Sequence, residues 1–432
     1  MTQIRRIVAL TGALGALVFP SGVHAQTACP TTQVACSDTS ALPNPVYMAG
    51  SSAFEPILRQ LAIQINAVYG VSIIYSPISS CNGISSIYPD PSFGFGADPQ
   101  PLTATPNYYV PSKTDPTVAE SCQCLLPAKT YASIGVSDVA FDSCQIGGRP
   151  ASVGEWLGPV QAMLIVVPKS NLTFTAISAE QAAVIWGCGQ LGGFGRFIDE
   201  NAIQQRSSTS GTQIMVARNI GSRDGSGGYR RVSETAFKGK TNPSSSALFT
   251  SLIAVPDPQT AIGFLANDFY ATHRAQLNSI AFRGLGQTKA YNADSTSTAD
   301  DLLNVREGRY MIQGPVHLFA KLSNVTDGGT PAPSAAIARV LGWLTGSDPI
   351  RPTDPSSYVS TIATNGAVPQ CAMKVKLDKD GGYFSPYTPP VPCNCAFARA
   401  KSLPVASGAC KPCGSDPTLC PAGTTCNFGY CE

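Results

Sequence analysis

Pro45-Val46-Tyr47-Met48-Ala49, then Gly50-Ser51-Ser52-Ala53, then a run over 54–69 read in order as a strand, a small-residue turn and an amphipathic helix. In the last run Phe54, Ile57, Leu58, Leu61, Ile65 and Val68 recur at helical spacing. The turn sets hydroxyls and backbone N–H groups at a helix N-terminus, where an anion is favoured. A plain tight turn fits the same residues. The alternation continues downstream, with strands expected at 71–75, 131–140, 160–168, 261–270 and 310–322, and helices at 178–188 and 335–346. The 160–168 run is continuously apolar, which suits a strand buried on both faces. Strands alternating with helices from 45 to 370 predict α/β layers around a mostly parallel sheet.

Arg206-Ser207-Ser208-Thr209-Ser210-Gly211-Thr212 leads into an apolar-periodic segment containing Ile214, Met215 and Ile220. A guanidinium, clustered hydroxyls and a glycine ahead of a helix present two-pronged and backbone donors to one small anion. The same residues also read as a Ser/Thr-capped helix start. A second hydroxyl-rich turn lies at 79–86. The glycine-rich 223–228 is a rival cradle, ranked lower because Tyr229, Arg230 and Arg231 do not continue into an apolar-periodic helix.

Residues 1–25 read as a secretory signal: Arg5 and Arg6 are basic, 7–19 apolar, and Val23-His24-Ala25 resembles a cleavage site. Its removal takes 29 basic residues to 27, equal to the 27 acidic ones. A net charge near zero argues against nucleic acid and anionic membrane as partners. No later apolar run has membrane-spanning length, so a periplasmic or secreted protein is expected, of unassigned oligomeric state. With 43% hydrophobic and 13% charged residues, the 432-residue chain can bury large cores and predicts two or three compact units.

Fifteen cysteines fit an oxidising compartment, and the odd number leaves one thiol free or paired between chains. Residues 26–45, with Cys29 and Cys36, read as a tethered N-terminal loop, and the Pro/Gly/Ser/Thr-rich 89–129 as a surface insertion pinned by disulfides. From 371 to 432 cysteines crowd a stretch poor in aliphatic residues, predicting a small disulfide-stapled module. Cys410-Lys411-Pro412-Cys413 has zinc or redox spacing, but in an exported Cys-dense tail it reads as structural.

Catalytic material is scarce. Only His273 and His317 follow the signal, and no Gly-x-Ser-x-Gly or His-Glu-x-x-His occurs. Nor is there a P-loop, and Gly192, Gly193 and Gly195 lack dinucleotide-fold spacing. No cofactor or metal is expected, and the inventory suits binding an anion without transforming it.

In this order the pieces resemble the periplasmic phosphate-binding proteins of ABC importers, within the type II periplasmic solute-binding proteins. The pieces are Ala49-Gly50-Ser51-Ser52-Ala53-Phe54 with Pro56, Gly135-Val136-Ser137-Asp138, the 177–187 helix ending in Trp186-Gly187, Arg206 through Thr212, and Ala261-Ile262-Gly263-Phe264. The resemblance covers roughly 45–345. It implies two α/β lobes, 46–157 with 266–370 and 158–265, closing on phosphate by hinge motion, and ABC importer membrane subunits as partners. It further implies a ligand set of Ser52 with the Ala53 and Phe54 amides, Ser85 or a near neighbour, Asp138, Arg206, Ser210, Gly211 and Thr212. Asp138 would accept the proton of a protonated anion and so reject sulfate. Ser208 and Thr209 stand where the family usually has Asp and Gly, and Ala53 where a hydroxyl is common. Those departures, with the extra tail, support an alternative: a secreted interaction protein that keeps the scaffold, has a degenerate site and attaches through the Cys-rich module.

Overall fold

Hydrogen bonding along the expected strands and helices builds one large sheet with helices packed on it, seen here in a computed structural model that describes residues 29–87, 101–144, 148–223, 229–323, 333–346, 357–406 and 408–432. The signal segment, the glycines of the rival cradle and part of the 89–129 insertion lie outside the described residues.

The sheet takes in Val34–Ala35 (β1), Val46–Gly50 (β2), Ile73–Ser76 (β3), Asn107–Pro111 (β4), Ala119–Leu125 (β5), Ile134–Ser137 (β6) and Val153–Pro168 (β7). Smaller ladders use Ala176–Ser178 (β8), Gln204–Arg206 (β9), Gly221–Arg223 (β10), Tyr229–Arg231 (β11) and Lys240–Asn242 (β12). Gly263–Ala266 (β13), Leu277–Ser279 (β14), Ala281–Arg283 (β15) and Gln313–Lys321 (β16) follow. The large sheet runs β1-β5-β4-β3-β2-β6-β16-β7-β13, with β14 also on β7.

The expected mostly parallel sheet is corrected to a mixed one. β2 runs parallel to β3 and β6, and β1 parallel to β5, but the β3–β4, β4–β5, β6–β16, β16–β7 and β7–β13 pairs are antiparallel. Two features cause this. The insertion supplies β4 and β5, and strands joined by so short a loop can pair only antiparallel. The second feature is β7, 16 residues long. Its first part pairs with β16 and its last residues with β13 and β14, so one strand serves two sets of neighbours. As expected from its apolar run, Val160 to Val167 is buried.

The first helix, Glu55–Tyr69 (α1), carries Pro56 in its first turn and stops at Gly70, whose φ of 59° suits a residue without Cβ. A short helix, Ser80–Ser85 (α2), follows β3. Ala179–Cys188 (α3) starts on a capping box of Ser178 with Gln181 and carries Trp186 in its last turn, packed against Phe237 and Phe264. Gly211–Asn219 (α4) follows β9, and Ser245–Ile253 (α5) is capped by the Ser244 hydroxyl. Only 263–266 of the strand expected at 261–270 is extended; Asn267–Thr272 (α6) is helical.

Disulfides pair fourteen of the cysteines. Cys29–Cys122 and Cys36–Cys124 tie the N-terminal loop to β5, which sits inside the sheet rather than loose on the surface. Cys81–Cys144 joins α2 to the turn after β6. Cys371–Cys393, Cys395–Cys410, Cys413–Cys426 and Cys420–Cys431 make the tail a disulfide-stapled module. The sulfurs of Cys413, Cys420 and Cys431 lie close together, but each is in a disulfide and offers no thiolate to a metal. Cys188 is the free, exposed thiol.

Candidate functional site

Three chain turns meet where β2, β6 and β9 end. At the first, Gly50 approaches β6 so closely that a Cβ would overlap the Val136 carbonyl, and Ser51 donates its N–H to that oxygen at 3.0 Å. Ser51 Oγ then accepts the Ala53 N–H at 3.1 Å. The Ala53 amide, expected to face a ligand, is therefore spent within the turn. Ala53 and Phe54 are buried, Phe54 is the residue before α1, and Ser52 is half-buried.

At the second turn Asp138 is 2% exposed. Its N–H donates to Ser80 Oγ at 3.2 Å, and Ser80 donates in turn to Oδ2 at 3.3 Å. Oδ1 is buried without a hydrogen-bond partner. Burial pushes the carboxyl pKa up, against the pull of the Ser51 hydroxyl, the Arg206 guanidinium, Ser80 and His317.

The third turn begins at Arg206, also 2% exposed. Its N–H donates to Gln213 Oε1 at 2.9 Å, holding the turn against the helix it starts. The guanidinium donates from Nη1 to Ser245 Oγ at 2.9 Å, and from Nη2 to Ser52 Oγ at 3.2 Å and the Pro243 carbonyl at 3.3 Å. Burial lowers its pKa to about 10, with Asp138 opposing, so Arg206 carries its charge at neutral pH. Ser210 precedes α4 without capping it through its side chain. Gly211 has a steric reason: a Cβ would stand 2.4 Å from Ser80 Oγ and 2.8 Å from Asp138 Cβ. The Thr212 hydroxyl and Arg206 Nε are buried without partners.

The third turn also touches the start of α2 and the residue before it. Cys81 donates its N–H to the Thr209 carbonyl at 3.2 Å, and the Ser79 and Thr209 hydroxyls bond at 3.1 Å. Ser52, Asp138, Arg206 and Gly211 are thus brought together, with Ser210 and Thr212 beside them. Ser85 is not. Its hydroxyl bonds the Asn82 carbonyl at 3.0 Å at the far end of α2, and Ser80, at the near end of the same hydroxyl-rich turn, takes the place expected for it. Ser51, Ser245 and Gln213 join the cluster without having been singled out; Ser51 lay in the quoted turn, whereas nothing local marks Ser245. Ser208 is exposed, so its difference from the family pattern lies outside the buried cluster.

The cluster combines a buried cation, hydroxyls, the free N–H groups of the first turn of α4 and one carboxyl acceptor. That set can enclose an anion and offer a single acceptor to a proton it carries. The histidines make their hydrogen bonds outside the cluster: His273 Nδ1 lies 2.8 Å from the Phe269 carbonyl, and buried His317 lies 2.6 Å from Glu155 Oε1. Among the described residues no helix is long and apolar enough to cross a membrane.

No family model matches the chain, and no curated protein matches it. Among solved structures it is similar to an ABC-type phosphate transport receptor from Vibrio cholerae, at 14% identity over 75% of this chain and 99% of that one, with a TM-score of 0.42. A putative phosphate ABC transporter substrate-binding protein with bound phosphate from Clostridium perfringens shows 13% identity over the same shares, with a TM-score of 0.45. A phosphate-binding protein from Stenotrophomonas maltophilia shows 13% identity over 75% of this chain and 90% of that one, with a TM-score of 0.42. By their own descriptions these three are a phosphate transport receptor, a putative phosphate transporter substrate-binding protein and a phosphate-binding protein.

Proposed function

We propose that the protein is an exported, non-catalytic solute receptor that holds a small oxyanion, phosphate in the first place, between two α/β lobes. In this reading the lobes are 46–157 with 266–370 and 158–265; β7 and β13 cross between them, and ABC importer subunits receive the ligand. The observation that carries it is the meeting of buried Arg206 and Asp138 at the N-terminus of α4, with Asp138 Oδ1 and the Thr212 hydroxyl unpartnered beside them. An unpartnered buried acceptor and hydroxyl are costly unless something meets them. A protonated oxyanion answers both, donating to Asp138 and accepting from Thr212, Arg206 and the α4 amides. Ionised Asp138 faces sulfate with no hydrogen between them, so phosphate is selected while Asp138 stays ionised.

A calorimetric titration of anion-stripped protein with phosphate and then sulfate, at neutral pH, tests this. The expected result is phosphate binding with sulfate rejected. Binding of neither would sink the receptor reading and favour the second one, an interaction protein on the same scaffold. One observation favours that second reading: Arg206 already meets Ser52 and Ser245, so the turns close on each other through the protein's own hydroxyls.

A further inference from the structure

The tail contributes a hairpin, Val375–Leu377 (β17) and Phe384–Pro386 (β18), whose loop reaches the turn that follows Asp138 and the last turn of α4. In that loop Asp380 is 6% exposed, and its Oδ2 accepts the Ala140 N–H at 2.8 Å and the Ser143 hydroxyl at 2.6 Å. Ala140 and Ser143 belong to the turn that carries Asp138, the same turn that Cys144 ties to α2. The next residue reaches the other side. The Gly381 carbonyl accepts from Arg231 Nη2 at 2.7 Å, and a Cβ on Gly381, at a φ of 62°, would stand 2.5 Å from the Arg218 carbonyl in α4. Two consecutive tail residues therefore grip the Asp138 turn on one side and the last turn of α4 with β11 on the other. The hairpin base is fixed independently: Lys374 N–H donates to the Arg306 carbonyl at 3.0 Å, Lys374 pairs with Glu307 at 2.9 Å, and Cys371–Cys393 closes the segment.

We propose that the 378–383 loop is a clasp across the anion cleft, and that Asp380 is a positioning residue that sets the Asp138 turn against α4 and slows anion exchange. The ligand in this statement rests on the receptor reading above; the clasp itself does not. A carboxylate that accepts from a backbone N–H and a hydroxyl on one side, next to a carbonyl that accepts from a guanidinium on the other, resists separation of the two sides. The rim of the cleft is thereby coupled to a module stapled by disulfides.

Spin labels on native Cys188 and on an introduced K113C, both exposed positions, report the separation of the two sides by pulsed electron resonance. Without anion, the otherwise unaltered protein should give a short, narrow distance distribution. Asp380→Ala should give a longer, broader one that inorganic phosphate narrows again, and phosphate should dissociate about tenfold faster in stopped flow. Asp380→Asn, which keeps one acceptor oxygen, should fall between. If Asp380→Ala does not fold, Arg231→Ala, on the exposed side of the grip, poses the same question from the other end. Unchanged distances and unchanged dissociation in a folded Asp380→Ala or in Arg231→Ala would overturn the clasp. Absence of phosphate binding by the parent protein would remove the receptor reading, while the anion-free distances would still decide on the clasp.

Discussion

The cluster around Arg206 and Asp138 and the tail from 371 to 432 are held together in opposite ways. In the cluster, two buried ionisable groups and several hydroxyls draw the Arg206 turn, the Ser52 turn and the Asp138 turn together by hydrogen bonds, with Cys81–Cys144 a covalent tie between α2 and the Asp138 turn, and some buried polar atoms are left unmatched. In the tail, four disulfides close short loops, with separations from 22 down to 11 residues, in place of a large core. Noncovalent closure can be reversed by a ligand or a proton; covalent closure cannot. The molecule thus pairs a region suited to exchange with one suited to anchoring, and the Asp380 loop joins them.

The sharpest way to break that contrast is Arg206→Ala. It leaves Asp138 buried without its cation, and the expected loss is about 3–5 kcal/mol in denaturant unfolding, together with loss of phosphate binding in calorimetry. A variant of near-parent stability and affinity would mean that the cluster is not organised by charge. Next in size, Cys371→Ser with Cys393→Ser opens the 22-residue separation and should cost about 3 kcal/mol, read by the same unfolding curve. It should leave phosphate selectivity over sulfate intact, because no cluster residue lies in the tail.

A smaller effect is expected from pH. Burial raises the Asp138 pKa above the ordinary 3.8, so the folded state holds this proton more tightly than the unfolded chain does. Its stabilising contribution is fully present below 3.8 and is lost as pH rises through the raised folded value. Asp138→Asn should remove that decline, so the difference in unfolding free energy between variant and parent should move in favour of the variant as pH climbs above 4. The same substitution replaces an acceptor by a group that also donates, and should admit sulfate. The smallest effect belongs to Ser208→Asp: at an exposed position it should shift phosphate affinity by no more than about twofold. A large gain there would place the 208 side chain inside the cluster when the anion is bound.

What the sequence disclosed follows from how local each signal was. The 45–69 strand, turn and helix, the apolar 160–168 run and the 178–188 helix carry their periodicity within themselves, and each forms near its expected place. Arg206 to Thr212 and Asp138 stood out because hydroxyls, glycine and a charge cluster at helix starts and strand ends. The mixed sheet was hidden, because β4 and β5 sit in a Pro- and Gly-rich stretch whose strand residues are short and polar-flanked. Ser80 could not be told from Ser85, since the same turn offers serines at both ends and only tertiary packing chooses. Asp380 was invisible: nothing in its neighbourhood indicates a partner 240 positions earlier.

The cysteine connectivity also bears on the order of events in maturation. Cys29, Cys36 and Cys81 find partners 93, 88 and 63 positions later, and the first two bridges interleave with each other and both span Cys81. A chain oxidised in the order its thiols emerge would join Cys29 to Cys36 and trap the wrong bond. The native pattern therefore demands either that β1 and β5 dock before oxidation or that a disulfide isomerase corrects the early pairs. Cys371–Cys393 and Cys395–Cys410 join successive cysteines and carry no such demand, whereas Cys413–Cys426 and Cys420–Cys431 interleave, so only the first two bridges of the tail can form correctly in order of emergence and the last two, like those of the first half, wait on folding or isomerisation.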